Sequence, residues 1–208
     1  NKGIEVKRPT RRITWDPITA QKGGFKHYML KEIFDQPEAL ADAFRGRLKP
    51  DSGEIFFEEL PIKAEEIAAI NRIILVGCGT AWHACLLAKF YFEKFAKIAC
   101  EVDYASEFRY RDKVIAPGTL VIAISQSGET ADTIGAIESV LGLAKTLAIC
   151  NVLGSSLTRK TDYVVYTQAG PEISVASTKA FSSQVVLAYL LALYFADKRR
   201  VVTSDFIK

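Results

Sequence analysis

The sequence is poor in the residue types that build metal centres and disulfide frames. Only two histidines and four cysteines occur in 208 residues. Cys78, Cys85, Cys100 and Cys150 show no C-x-x-C spacing, and three of them sit in or beside apolar runs, where a free thiol behaves as a small hydrophobe. That argues against a disulfide-stapled fold and a zinc site, and favours a reducing, cytoplasmic setting. A dominant charge is also lacking: the net charge is +3, too small to mark a nucleic-acid partner. Basic residues gather at Lys7, Arg8, Arg11 and Arg12 and again from Lys198 to Arg200, where solvated tails account for them. The first residues carry no signal-peptide pattern. The longest unbroken apolar run, Val185 to Ala196, falls short of the roughly 18 residues of a membrane span, so no membrane partner is expected.

What is present is a core: 49% of the residues are hydrophobic, enough for one domain plus an appendage. Asn1 to Gly24 has no sustained period and carries Pro9, Pro17 and Gly23-Gly24, so it reads as a linker. A chain beginning on Asn rather than Met reads as a fragment. From Phe25 a helical pattern starts, with Phe25, Met29, Ile33 and Phe34 on one face. Pro37 divides it from a second stripe, Leu40, Phe44 and Leu48. His27 has no partner motif and reads as a packing or capping residue. Arg47 to Pro61 reads as a charged loop turning at Asp51-Ser52-Gly53.

Five strands follow, alternating with helices. They are Arg72–Val76, Glu101–Tyr104, Leu120–Ile124, Thr146–Cys150 and Tyr163–Val164-Val165-Tyr166. The intervening helices are expected at Ala81–Ala96 and Ala131–Leu143, with a short one at Ala64–Ile70 and a final one from Ser177 to Ala196. Ser106–Asp112 reads as a polar aromatic loop, and Ser155–Arg159 as a helical turn. Continuous apolar strands alternating with helices imply a parallel sheet covered on both faces, a three-layer α/β/α sandwich of flavodoxin-like order 2-1-3-4-5.

The stretch Leu120 to Thr133 organises the chain. A buried strand breaks into Ser125-Gln126-Ser127-Gly128-Glu129-Thr130 and then a helix begins. Unpaired N–H groups and the helix dipole favour an anion there. Ser125, Gln126, Ser127 and Thr130 add neutral donors, with no Lys or Arg in the motif. Helix capping by the serines is the plainer alternative. In order 2-1-3-4-5, strands one and three flank the switch point, so Gly77-Cys78-Gly79-Thr80 would face this loop across one crevice. A dinucleotide reading of Gly77-Cys78-Gly79 fails because Trp82 stands where the third glycine belongs. No G-x-S-x-G nucleophile elbow occurs. Cys78 reads as a backbone or packing residue rather than a reactive thiol, and His83 as a surface or packing residue.

Gly77-Cys78-Gly79-Thr80, Ser125 through Thr133, and Glu172-Ile173-Ser174-Val175-Ala176-Ser177-Thr178-Lys179-Ala180-Phe181 together resemble a sugar isomerase (SIS) domain. More narrowly, the chain is similar to the first SIS half of the glucosamine-6-phosphate synthase (glutamine:fructose-6-phosphate amidotransferase) family. Trp15-Asp16, Lys22-Gly23-Gly24, His27, Met29-Leu30-Lys31-Glu32-Ile33, Ala105 to Arg111 and Ile149-Cys150-Asn151-Val152 carry that narrower likeness. The resemblance runs from Ile13 to Asp197. It makes residues 1–24 the tail joining an upstream glutaminase region, and 25–208 a SIS domain with an N-terminal helical extension.

The resemblance implies conversion of fructose 6-phosphate and glutamine to glucosamine 6-phosphate and glutamate, opening hexosamine and UDP-GlcNAc synthesis, with no metal or organic cofactor. It maps phosphate binding onto Ser125, Gln126, Ser127 and Thr130, and sugar contact onto Cys78, Gly79, Thr80 and the backbone of Val175. Many relatives carry Ser where this chain has Ala81, so position 81 is not assigned as a ligand. The family's glutaminase cysteine and its ring-opening Glu, Lys and His belong to segments outside these residues, so no catalytic residue is assigned. Glu129, at a helix N-terminus where its pKa falls, is a poor base. A homodimer is expected, with the last helix, apolar all round, serving either as a core helix or as a packing face for a partner. The alternatives are another SIS enzyme acting on amino-sugar phosphates, or a non-catalytic SIS sensor.

Overall fold

The structure, a computed structural model, describes residues 17–207. The basic cluster Lys7–Arg12 and the pair Trp15-Asp16 lie outside the described residues. After a 3₁₀ turn at Pro17–Ala20, helix α1 spans Tyr28–Phe34 and α2 spans Gln36–Phe44, with Pro37 in the first turn of α2. The expected stripe on α1 does not reach the core. Met29, Ile33 and Phe34 are exposed, and Phe25 stacks on Phe34 at 5.7 Å. α2 instead buries its small residues Ala39 and Ala43.

Arg47 to Pro61 turns at Asp51-Ser52-Gly53 as expected, but it is more than a charged loop. Leu48–Lys49 (β1) and Glu54–Ile55 (β2) pair as a small antiparallel hairpin, and Ile55, Phe57 and Leu60 beyond it are buried. Arg47 is itself buried. Its guanidinium donates to the carbonyl oxygens of Ala43 (3.1 Å) and Tyr166 (2.6 Å) and pairs with Glu59 at 2.5 Å.

The chain then runs through α3 (Ala64–Ala69), β3 (Arg72–Gly77), α4 (Thr80–Tyr91, continued by a π turn Phe92–Ala96) and β4 (Ala99–Tyr104). Next come α5 (Ala105–Tyr110), β5 (Thr119–Ser125), α6 (Ala131–Glu138), β6 (Lys145–Cys150), β7 (Tyr163–Tyr166) and α7 (Lys179–Lys198). The segment expected to be an aromatic loop at Ser106–Asp112 is mostly the helix α5, a single amphipathic stretch burying Ala105 and Phe108. α6 stops before the expected Leu143. The Ser139 hydroxyl donates to the Ala136 carbonyl at 2.7 Å and competes with the helix ladder, and Gly142 turns the chain at φ +78°.

The five-stranded sheet has order β4-β3-β5-β6-β7, all parallel, which is 2-1-3-4-5 in strand sequence. Alternate residues feed two cores. Ile73, Leu75, Leu120, Ile122 and Ile124 face α4 and α7, while Ile74, Val76, Val121 and Ala123 face α5 and α6. The crossover from β3 thus uses one face and that from β5 the other, so the strands diverge at their carboxyl ends. By length and composition α7 could cross a membrane, but 67% of its most apolar window is buried within the fold, as in a core helix.

Candidate functional site between the carboxyl ends of β3 and β5

β3 and β5 are hydrogen-bonded neighbours, with Val76 opposite Ala123. Their carboxyl ends open into a cavity of about 200 Å³ lined by Cys78, Thr80, Ala81, Ser125, Gln126, Ser127, Thr130 and Thr133 on the strand side. The segment ahead of α7 closes it with Glu172, Ser174, Val175 and Ser177, and Gln184 of α7 lies deeper. All the expected ligands except Gly79 therefore meet at one cavity. Gly79 is the N-cap of α4, and its carbonyl accepts from the Trp82 amide at 3.1 Å. The Val175 side chain is fully exposed, which leaves its backbone as the part that can turn inward.

The loop Ser125–Thr130 is held from below. The Gly128 amide donates to Ser125 Oγ at 3.0 Å and the Glu129 amide to Ser127 Oγ at 3.2 Å. Both hydroxyls accept in these bonds, so their protons stay free to donate outward. The Leu157 amide donates to the Gly128 carbonyl at 2.9 Å and the Asn151 amide to the Gln126 carbonyl at 3.1 Å. Gly128 sits at φ +66°, and a Cβ there would lie 2.0 Å from Ser155 Oγ. Glycine is what lets this loop lie on the Ser155 turn.

Thr130 is the N-cap of α6 but makes no side-chain cap bond. Capping therefore does not consume the Thr130 hydroxyl, and the first amides of α6 lack intrahelical partners. α4 likewise begins without a side-chain cap. At α7 the arrangement differs: Glu172 accepts from the amides of Thr178 (2.8 Å) and Ala180 (3.1 Å) and from Ser177 Oγ (3.0 Å). Glu172 is the single charged residue lining the cavity.

Glu129 is exposed, with its Oε1 accepting from the Ser156 amide at 2.7 Å. That backbone bond, then the Ser156 side chain and Arg159, hold its carboxyl below the ordinary value against slight desolvation. The direction matches the expectation, and its largest cause is the bond from the Ser156 turn. Burial pushes the Cys85 and Cys150 thiols up and Cys100 up to about 12, so these three are packing groups. His83 is exposed, its Nδ1 3.1 Å from the Gly79 carbonyl oxygen. His27 is exposed at the N-cap of α1 without a side-chain cap bond.

Three larger clefts are present among the described residues. One, about 670 Å³, lies between α1–α2 and the segment Gln168–Pro171, a second, about 690 Å³, lies at the amino ends of the strands, and a third, about 480 Å³, lies between Lys94–Lys97 and Arg200–Phe206. None is fed by the carboxyl ends of β3 and β5, where ligands of open α/β sheets bind. Sequence reasoning missed Thr133, Ser177 and Gln184. Thr133 lies one turn beyond Thr130 in the same motif. Gln184 is an isolated amide ahead of an apolar run, and its buried Oε1 has no hydrogen-bond partner.

The family model for the SIS domain matches residues 66–194. The chain belongs to the SIS family. Over its full length this SIS chain is 45% identical to the glutamine–fructose-6-phosphate aminotransferase (isomerizing) of Clostridium acetobutylicum, and it covers 34% of that protein. It is 46% identical to the same-named protein of Methanosarcina mazei, with 97% of the chain and 33% of the relative aligned. The SIS chain thus spans about a third of the length of the curated relatives it matches. Among solved structures it superimposes on the C-terminal domain of glucosamine-fructose-6-phosphate aminotransferase from Francisella tularensis with a TM-score of 0.84 at 42% identity, covering 90% of this chain and 53% of that one. A glucosamine-6-phosphate deaminase from Thermotoga maritima, 24% identical with a TM-score of 0.64 over 87% of this chain and 51% of that one, shares the fold.

Proposed function

We propose that this SIS domain binds the phosphate of fructose 6-phosphate or glucosamine 6-phosphate at the first turn of α6. It would do so as one portion of a longer enzyme that makes glucosamine 6-phosphate from fructose 6-phosphate and glutamine. The observation that carries the reading is the uncapped start of α6, with the hydroxyls of Ser125, Ser127 and Thr130 and the Gln126 amide around one cavity. Similarity to aminotransferases along the whole chain supports the substrate choice.

The phosphate oxygens accept from hydroxyls and peptide amides, with no cation among the lining residues. Cys78, Thr80 and the Val175 backbone face the sugar, and Gly79 sets the start of α4. Residues 1–24 are assigned as the interdomain linker and 25–208 as the SIS domain with its helical extension. No side chain at the cavity is assigned a proton-transfer role. Glu129 is turned onto Ser156 and Glu172 onto the α7 amides, so isomerisation and amino transfer are assigned to other parts of the enzyme. The full protein is further proposed to be a cytoplasmic homodimer in UDP-GlcNAc synthesis, as the family resemblance implies.

Calorimetric titration of the chain with fructose 6-phosphate tests this. Two lost hydrogen bonds to a charged acceptor, at ~1.5 kcal/mol or more each, should weaken binding by about a hundredfold in the Ser127→Ala/Thr130→Ala variant. Unchanged affinity would remove the pocket assignment.

A further inference from the structure

The segment that closes the cavity opposite the phosphate loop has little apolar anchorage of its own. Ile173 is 48% exposed and Val175 fully so. Its C-terminal half is tied to α7 through Glu172. Its N-terminal half is held by a residue more than a hundred positions upstream, Glu32 of α1, which is 2% exposed. The Glu32 carboxylate accepts from the Ile173 amide at 2.6 Å, from the Ser174 amide at 3.2 Å and 3.4 Å to its two oxygens, and from the Ser174 hydroxyl. A buried carboxylate is costly unless fully hydrogen-bonded, and charged acceptors make the stronger bonds. Loop and carboxylate therefore satisfy each other.

α1 is itself braced where it meets α7. Asp35, just after α1, pairs with both Lys31 (2.6 Å) and Lys179 (3.0 Å), and Gln36 Oε1 accepts from Ser182 Oγ at 2.5 Å. Ser174, which Glu32 holds, lines the cavity together with its neighbours Val175 and Ser177. Glu32 lies outside the span matched by the SIS family model, residues 66–194.

We propose that Glu32 is a positioning residue for the sugar side of the pocket, by which the helices upstream of the SIS core fix the Ile173–Ser177 wall. The inference rests on the sugar-phosphate reading above. Phosphate is gripped at α6 and the sugar is met by this wall, so loss of Glu32 should weaken the sugar phosphate and leave inorganic phosphate almost untouched.

The test is NMR titration of the chain and of Glu32→Ala, Glu32→Asp and Glu32→Gln with fructose 6-phosphate and, separately, inorganic phosphate. Amide hydrogen exchange is followed in the free proteins. Glu32→Ala and the shorter Glu32→Asp should bind fructose 6-phosphate about tenfold more weakly, from lost pre-organisation, and phosphate within about twofold. In both, the Ile173 and Ser174 amides should exchange about tenfold faster while those of β3 and β5 are unchanged. Glu32→Gln, whose carbonyl still accepts from both amides, should recover most of the affinity. Wild-type fructose 6-phosphate affinity in Glu32→Ala overturns the inference alone. Parallel loss of both ligands, or lost strand protection in every variant, also overturns it and makes Glu32 a general core residue. A wild-type chain that binds no fructose 6-phosphate overturns the functional reading and this inference together.

Discussion

Gly128→Ala isolates the contact that fixes the Ser125–Thr130 loop, the proposed phosphate site. Two costs act at this residue and can be separated. The first is conformational: at φ +66° an L-residue loses roughly 1–2 kcal/mol. The second is steric, because the new Cβ would lie 2.0 Å from Ser155 Oγ, 2.6 Å from Ser155 Cβ and 2.8 Å from Cys150 Sγ. Neither neighbour yields easily. Cys150 and Ser155 are both buried, and the Ser155 hydroxyl lies within bonding distance of Cys150 Sγ (3.5 Å) and Thr158 Oγ1 (3.4 Å). Gly128 cannot retreat either, since its amide is bound to Ser125 Oγ and its carbonyl to the Leu157 amide. Overpacking of this kind costs about 1–3 kcal/mol, giving about 2–5 kcal/mol in all. Gly142 is the control: φ is +78° with nothing within 4 Å of an added Cβ, so Gly142→Ala should cost only the ~1–2 kcal/mol of conformation. Urea unfolding of both variants measures the difference, and fructose 6-phosphate titration shows whether the loop has moved. Equal destabilisation by the two alanines would refute the close approach of Gly128 to the Ser155 turn.

Two further outcomes follow from groups away from the site. Asp162 accepts from the amide and the hydroxyl of the fully buried Thr146, at 2.8 Å each. Asp162→Ala should cost ~1–3 kcal/mol at neutral pH by leaving those donors unmet, read by urea unfolding. Although desolvation raises its pKa, the bonds from Thr146 and the charge of Lys145 more than offset this and hold it below 3.8. A depressed folded-state pKa stabilises above the unfolded value, so the gap between wild type and variant should shrink as pH falls below 3.8. Arg47→Ala removes the guanidinium that joins the β1–β2 hairpin to the carbonyl of Tyr166 and to Glu59. Breaking a buried pair from one side costs about 3–5 kcal/mol, and Glu59, at 28% side-chain exposure, places this one near the lower end. Unchanged urea midpoints would show that water replaces Arg47 in full.

The sheet was legible because its strands obey a strong local signal. Ile73 to Val76, Leu120 to Ile124 and Leu147 to Cys150 are unbroken apolar runs, and each ends in glycine, hydroxyl or amide residues that cannot continue a buried strand. The same contrast located the two loops that meet at the switch point. The hairpin was hidden because strands of two residues have no period, and because Arg47 reads as solvent-facing until its partners on β7, far along the chain, are known. α5 was hidden by its length: Ala105 and Phe108 are a single i, i+3 pair. The 172–177 wall entered the reading only through resemblance, at Val175. Nothing local could have exposed Glu32, whose partners Ile173 and Ser174 lie on the far side of the sequence.

The charges around the cavity bear on the proposal that an anion binds at the start of α6. Three carboxylates stand near the cavity or brace its wall, and each would repel a phosphate if it pointed inward. Glu129 is taken up by the Ser156 amide, Glu172 by the amides of Thr178 and Ala180, and Glu32 by those of Ile173 and Ser174. The Glu172 bonds use backbone donors at the start of α7, which removes that helix end from the set of available anion sites. What remains are the uncapped starts of α4 and α6, and only at α6 do Ser125 and Ser127 hydroxyls that accept from the backbone behind them stand alongside. With no Lys or Arg among the lining residues, no long cationic side chain has to be immobilised when an anion arrives, and little rotamer entropy is lost there. The donors proposed for the anion belong to a helix end and a loop already fixed by Gly128, so in that reading their geometry is set before binding.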